Sequence, residues 1–235
     1  MKKILFSLVA LVCSMSMNAQ IMKVMKGNVV VATYTADEAD NVVFEGITGT
    51  AKRTGDIDVT WVRLWENGPK FAEYNVGAAN NKAEDCGGHY CWGSSIDKDS
   101  NATNRHGIGA LTGADDTATN LWGSAWRMPT QAELEALPAN CDVEWTAVNG
   151  VNGRKVTGKG DYASNSVFLP AAGYCSSGYV NGQGDGGRYW SSTPTGNQYS
   201  YYAFYAYYLY FNSGDQYVSN IHRFNGYSVR AVLAE

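Results

Sequence analysis

The residues best equipped for chemistry in this sequence are Cys86, Cys91, Cys141 and Cys175, with His89, His106 and His222. Thiolates and imidazoles ligate metals, and cysteines of exported proteins oxidise to disulfides. The segment Cys86-Gly-Gly-His-Tyr-Cys91 offers both chemistries in one short loop. A zinc site on Cys86, His89 and Cys91 lacks a fourth ligand and the usual paired C-x₂₋₄-C pattern, so a disulfide or free thiols take precedence. With Cys13 expected to leave with a signal peptide, the remaining four cysteines allow three pairings that sequence alone does not decide; the small glycine loop favours Cys86–Cys91, which leaves Cys141–Cys175. No Ser-His-Asp order with a nucleophile elbow occurs, and the histidines lack metal spacing. The run Asp97-Lys98-Asp99-Ser100-Asn101 alternates oxygen ligands like a calcium loop. Ala102 and Ile108 stand where such a loop needs glycine and an acid, so a polar surface turn is expected. Gly182-Gln183-Gly184-Asp185-Gly186-Gly187 mimics a phosphate loop without the strand-to-helix setting, and Asn101-Ala102-Thr103 matches a glycosylation sequon. The expectation is therefore no catalytic residue, no metal and no cofactor.

Recognition chemistry is concentrated elsewhere. Residues 189–227 hold ten of the 16 tyrosines, interleaved with Asn197, Asn212, Asn220 and Asn225. Tyrosine gives large contact area at low entropy cost, while Asn, Ser and Gly adapt their hydrogen bonds, which is the repertoire of binding loops. Read as a strand, Tyr201 to Phe211 turns Tyr207, Leu209 and Phe211 inward and Tyr208 and Tyr210 to the opposite face. The plainer alternative is that these tyrosines cover a β-rich core.

The elements that must carry this surface follow from composition. The chain has 235 residues, 17% charged and 13% aromatic, with 26 glycines. That excludes a disordered chain, a coiled coil and a helix bundle. Lys2, Lys3 and the short apolar run Ile4–Cys13 form a signal peptide over 1–19, cut after Ala19, so an exported protein is expected in the periplasm, at the cell surface or outside. A lipid anchor at Cys13 lacks the small residue expected before it. Loss of Lys2 and Lys3 makes the balance of 18 basic and 22 acidic side chains more acidic still, which argues against a nucleic-acid partner. No later apolar stretch approaches ~18 residues, so no membrane span is expected.

Residues 20–46 read as a small β appendage, a hairpin turning at Gly27-Asn28 and followed by a capping box at Thr35–Glu38 and a strand at 41–45. Residues 47–56 read as a linker, and 57–235 as the main domain. Within it, Val59–Val62, Phe71–Val76 and Val167–Pro170 are strands, and 93–115 is a long loop. Asp116–Trp122 and Thr130–Leu137 are helices, the second with a capping box at Thr130 and Glu133 and a stop at Pro138. Arg127 and Arg230, set among tryptophans, are expected to stack on Trp or pair with a buried carboxylate.

Several blocks occur in order over residues 57–233. They are Trp61…Asn75-Val76-Gly77-Ala78, Gly88-His89-Tyr90-Cys91-Trp92-Gly93, Trp122-Gly123-Ser124-Ala125-Trp126-Arg127-Met128-Pro129-Thr130, Phe168-Leu169-Pro170-Ala171-Ala172-Gly173-Tyr174, Tyr189-Trp190-Ser191-Ser192 and Arg223…Gly226-Tyr227-Ser228-Val229-Arg230. Together they resemble the FISUMP (major paralogous) domain. The resemblance implies an α+β, C-type-lectin-like domain with long loops, close in architecture to formylglycine-generating enzymes. It also implies similarity to variable proteins of diversity-generating retroelements, whose C-terminal segment is diversified at template adenines. On that likeness the ligand-facing residues are Tyr189, Thr193, Tyr205, Tyr207, Tyr210, Asn212, Asp215, Tyr217, Asn220, His222, Phe224 and Asn225. The scaffold is Trp190, Ser191, Leu209, Phe211, Arg223, Gly226, Val229 and Arg230.

The expected function is recognition of a protein or cell-surface glycan by this surface, without catalysis. The competing expectations are a structural or adhesive surface component and an enzyme related to the formylglycine-generating enzymes. The latter chemistry needs a redox-active cysteine pair, and no cysteine falls in the C-terminal blocks.

Overall fold

The computed structural model describes residues 21–26, 29–35, 48–99, 109–196 and 204–234. The chain divides into two compact units, residues 1–47 and 48–235. In the first, β1 (Ile21–Lys26) and β2 (Val29–Thr35) form an antiparallel hairpin whose register shifts between Val24 and Met25. The leader expected at 1–19, the capping box read at Thr35–Glu38 and the strand read at 41–45 lie, wholly or past Thr35, outside the described residues.

The second unit is mostly strand with short helices, an α+β arrangement. A five-stranded antiparallel sheet has the order β3 (Thr48–Arg53), β4 (Ile57–Arg63), β5 (Lys70–Ala72), β15 (Val232–Leu233), β6 (Trp126–Arg127). Two three-stranded antiparallel sheets are β7 (Cys141–Val148), β8 (Val151–Gly158), β9 (Ser166–Pro170) and β12 (Gly186–Pro194), β13 (Tyr205–Asn212), β14 (Gln216–His222). A small hairpin joins β10 (Tyr174–Ser176) to β11 (Tyr179–Asn181). Residues 48–53, expected as linker, instead make the edge strand β3. Gly49 sits there because Trp61 on β4 packs over it; an added Cβ would lie 2.6 Å from the indole ring. Among the described residues no helix is long and apolar enough to cross a membrane.

Among the described residues three short α-helices occupy the connections. α1 (Thr117–Trp122) starts at Asp116, whose buried carboxylate accepts from the backbone N–H of Thr119 at 3.0 Å and of Met128 at 2.8 Å. Burial holds that carboxyl above its ordinary range, although the amides oppose the shift. α2 (Gln131–Glu135) carries the capping box read in the sequence: Thr130 accepts from the Glu133 N–H, and Glu133 accepts from the Thr130 N–H. Arg127 grips the same Glu133 carboxylate with two bonds of 2.8 and 2.6 Å, a bidentate pair that realises the carboxylate alternative read from the sequence. Pro138 does not stop the chain but starts a further turn, α3 (Leu137–Asn140), because proline is tolerated in the first turn of a helix.

Two apolar cores lie within this unit, and several strands feed both. Trp190 on β12 packs in the first with Trp92, Trp126 and Tyr208, while its neighbour Tyr189 packs in the second with Leu209, Phe211 and Val232. Strand side chains alternate between faces, so each core receives every second residue. On β13, Ala206 and Tyr208 enter the first core, and Leu209 and Phe211 the second. The inward set is therefore Leu209 and Phe211 without Tyr207, and the opposite face is a second core rather than solvent. Each of these large side chains contributes about 1.5–3 kcal/mol when fully buried.

Arg230 ties the pieces together. It is 1% exposed, and its guanidinium donates to Asn75 Oδ1 (2.9 Å) and to the carbonyls of Ala72 (2.9 Å), Glu73 (2.5 Å) and Phe168 (2.7 Å). Asn75 Nδ2 in turn donates to the Cys86 carbonyl and the Tyr189 hydroxyl, which donates to the Pro170 carbonyl. Neither a tryptophan face nor a carboxylate serves as partner, contrary to the expectation. Burial pushes this guanidinium down to about 10. Removing it strands several buried acceptors, each costing about 1–3 kcal/mol. Arg230→Ala is expected to lower stability by roughly 3 kcal/mol or more, and Arg230→Lys to recover little, because an ammonium lacks the fork. Thermal melts of both variants check this; an unchanged curve for the alanine variant would overturn it.

Candidate functional site

The β13–β14 hairpin carries most of the residues expected to face a ligand, and its register decides which of them meet. Tyr205 pairs with His222, Tyr207 with Asn220 and Tyr210 with Tyr217, without a shift between strands. Residues 205 and 207 share one face and residue 210 the other. The expected surface is thus split between two places.

The first gathers Tyr205, Tyr207, Asn220, His222, Phe224 and Asn225. The Tyr205 hydroxyl and His222 Nε2 lie 2.9 Å apart, with ring centroids at 4.1 Å. Phe224, 44% exposed, stacks on His222 at 5.0 Å. Asn225 Nδ2 donates to the His222 carbonyl. Arg223, buried, lies 4.2 Å from the Trp92 ring and donates through Nε to the Tyr205 carbonyl, fixing the end of the hairpin. Thr193, on β12, accepts from the Gln131 N–H through its hydroxyl and joins neither group.

The second place gathers Tyr210 and Tyr217, whose rings are 5.0 Å apart; Tyr217 is 50% exposed. Sequence reasoning missed the cation here. Arg188 on β12 lies opposite Tyr210, with its guanidinium carbon 5.1 Å from that ring and 4.3 Å from the ring of Tyr174. Stacked on two faces, a guanidinium keeps its N–H edge available for an acceptor. The signal was present: Arg188 is the one cation in the strand Gly186–Pro194, two residues from Trp190. Asn212 and Asp215 lie at the intervening turn. Asn212 Oδ1 accepts from the N–H groups of Gly214 and Asp215, and Asn212 Nδ2 donates to the Tyr210 hydroxyl, so that side chain holds the turn. The carboxylate of Asp215 is exposed.

Tyr189 belongs to neither place. It is 1% exposed, stacked on Phe211 at 5.8 Å, and burial pushes its hydroxyl well above the ordinary phenol range. The eight residues read as scaffold are all buried.

The cysteines depart from the expected pairing, because all four are free thiols. Cys91 Sγ donates to the Phe224 carbonyl at 2.9 Å, and Cys86 Sγ accepts from Gln183, so the two sulfurs are engaged by different neighbours. Cys141 packs in the second core, whereas Cys175 sits on β10 bridged to Gly226, so Cys141–Cys175 is not formed either. Burial raises all three thiols that show a shift, Cys141 to about 11. Among the described residues no group of three His, Cys, Asp or Glu could hold a metal. Asp97 is occupied in accepting from the His89 N–H, and residues 100–108, with the sequon, lie outside the described residues.

A family model described as a domain of unknown function (DUF8237) matches residues 145–232, from Trp145 on β7 to Val232 on β15. That span includes the whole β12–β13–β14 sheet. No curated protein and no solved structure matches the chain.

Two outcomes follow from the site chemistry. A thiol reagent should label Cys86 before Cys91, Cys141 and Cys175 in the native protein, since those three are buried, and should reach them after denaturation; an absence of reaction at these four positions in the denatured chain would restore the paired reading. His89 is buried, with Nε2 at 2.8 Å from the Ala172 carbonyl and no partner for Nδ1 among the described residues. Burial lowers its pKa below the ordinary 6.5. The unfolded chain therefore binds the proton more readily, and the stability this neutral ring contributes is whole above about 6.5 and lost as pH falls through the folded value. Urea denaturation at successive pH values should show that decline, and His89→Gln should flatten it.

Proposed function

We propose that this is an exported ligand-binding protein that recognises a protein or cell-surface glycan through the Tyr/Asn-rich surface of its C-terminal hairpin, without a catalytic step. The observation that carries the reading is the Arg188 guanidinium between Tyr174 and Tyr210, beside the half-exposed ring of Tyr217. Binding energy concentrates in Tyr, Trp and Arg anchors that a ligand desolvates, and two of these residue types, Tyr and Arg, coincide here. The stacked group Tyr205, His222 and Phe224 supplies a further aromatic surface at the other end of the hairpin. In this reading the domain is C-type-lectin-like and of the FISUMP kind, and the mixture of Tyr, Asn, Asp and His at the hairpin surface is the product of retroelement diversification. Those two statements are supported by the ordered sequence blocks and the residue mixture alone.

A second reading, a structural or adhesive module whose tyrosines mainly pack, is favoured by the burial of Tyr189, Tyr208 and Tyr227. The two separate at Tyr217. Arrays of glycans and of cell-surface proteins, probed with the wild-type chain and with Tyr217→Ala, should identify a ligand whose binding falls about 30-fold, the effect of a ~2 kcal/mol anchor. The melting temperature should stay nearly unchanged, as for most surface substitutions. A variant that loses stability, with no array ligand for the wild type, would favour the structural module.

A further inference from the structure

We propose that a cleft remote in sequence from the hairpin, at the end of β3, binds a carboxylate-bearing sugar ring such as a uronate. The cleft encloses about 240 Å³ and is bounded by Arg53, by the segment after β5 that includes Tyr74 and Val76, by Leu121 and Trp122 of α1, and by Tyr90. This volume is below the ~300–1,000 Å³ of drug-sized sites and suits a single ring.

Arg53 is held with its guanidinium carbon 5.7 Å from the Trp122 ring, Nε 3.4 Å from the Tyr74 hydroxyl and Nη2 3.3 Å from Asn81 Oδ1. Nη1 has no partner among the described residues. Tyr90 is 4% exposed, and its hydroxyl stands beside Gly77 at the cleft wall. Burial pushes that phenol up to about 12, so it remains a donor throughout the physiological range. Gly77 has φ of +77°, and a Cβ there would run into the Tyr90 hydroxyl and the Gly88 amide. Among the described residues no carboxylate lines the cleft.

An arginine whose Nη1 is open and a phenol donor at the cleft wall suit an anion, and a carboxylate matches guanidinium geometry. The apolar wall of Leu121, Val76 and Trp122 calls for a ring with a C–H face, and Asn81 and the Tyr74 hydroxyl can exchange hydrogen bonds with sugar hydroxyls. The proposal does not depend on the hairpin reading. The same uronate chemistry arises from a free sugar acid or from the end of an acidic glycan.

Calorimetric titration of the exported chain with glucuronate, with glucose and with a glucuronate-terminated oligosaccharide tests it. Glucuronate should bind and glucose should not. Arg53→Gln should weaken binding at least about tenfold and Tyr90→Phe severalfold, with melting curves that confirm both variants are folded. Tyr217→Ala should leave the binding intact, which keeps this site separate from the hairpin. Binding of the oligosaccharide as well as the free acid identifies a glycan end as the source, and binding of the free acid alone identifies a small metabolite. Absence of glucuronate binding, equal binding of glucose, or an Arg53→Gln variant that binds as well as the wild type would overturn the proposal.

Discussion

A guanidinium buried without a counter-ion is an expensive component, and the second unit is organised around one. Arg230 reaches three backbone carbonyls and one amide oxygen drawn from the end of β5, the segment that follows it and β9. A buried charge is tolerated only when its donors are all engaged, so the carbonyls of Ala72, Glu73 and Phe168 must converge before the charge can leave water. That requirement brings residues 72–75, 168–170 and 230 into register and, through Asn75, sets the hydroxyl of Tyr189. The free cysteines fit this picture: polar cross-links, not covalent ones, join the loops to the sheets.

The tyrosine-rich segment therefore serves two purposes. Tyr189, Tyr208 and Tyr227 use their area to fill the cores, and their burial is what a tryptophan-rich interior demands of neighbouring strands. Tyr205, Tyr207, Tyr210 and Tyr217 lie partly or half open to solvent at the two ends of the hairpin. A composition count merges these groups; the register of β13 against β12 and β14 separates them.

What could be read from the sequence was local. The Thr130–Glu133 spacing announces a capping box because both bonds close within four residues, and Asp116 announces a helix start for the same reason. Val167–Pro170 reads as a buried strand because its apolar run ends at a proline. The face of each tyrosine was not legible, because β12 and β13 are covered on both sides and the alternation that marks a solvent face is erased. The edge strand β3 was hidden by its small and polar residues, which suit an exposed edge and make room for Trp61. Cysteine spacing carried no information on position, since Cys141 and Cys175 belong to different parts of the interior. The cleft at Arg53 is built from residues far apart in the chain, and no short motif encodes such a convergence.

The adjacency of Tyr189 and Trp190 has a thermodynamic consequence. Two consecutive side chains on one strand anchor two separate hydrophobic clusters, and the backbone between them is a single peptide bond. Neither cluster can loosen while the other stays packed without distorting β12. Residues 48–235 are therefore built to melt in one cooperative step, with calorimetric and van't Hoff enthalpies in agreement, and the clusters act as one folding unit in spite of their separation in space.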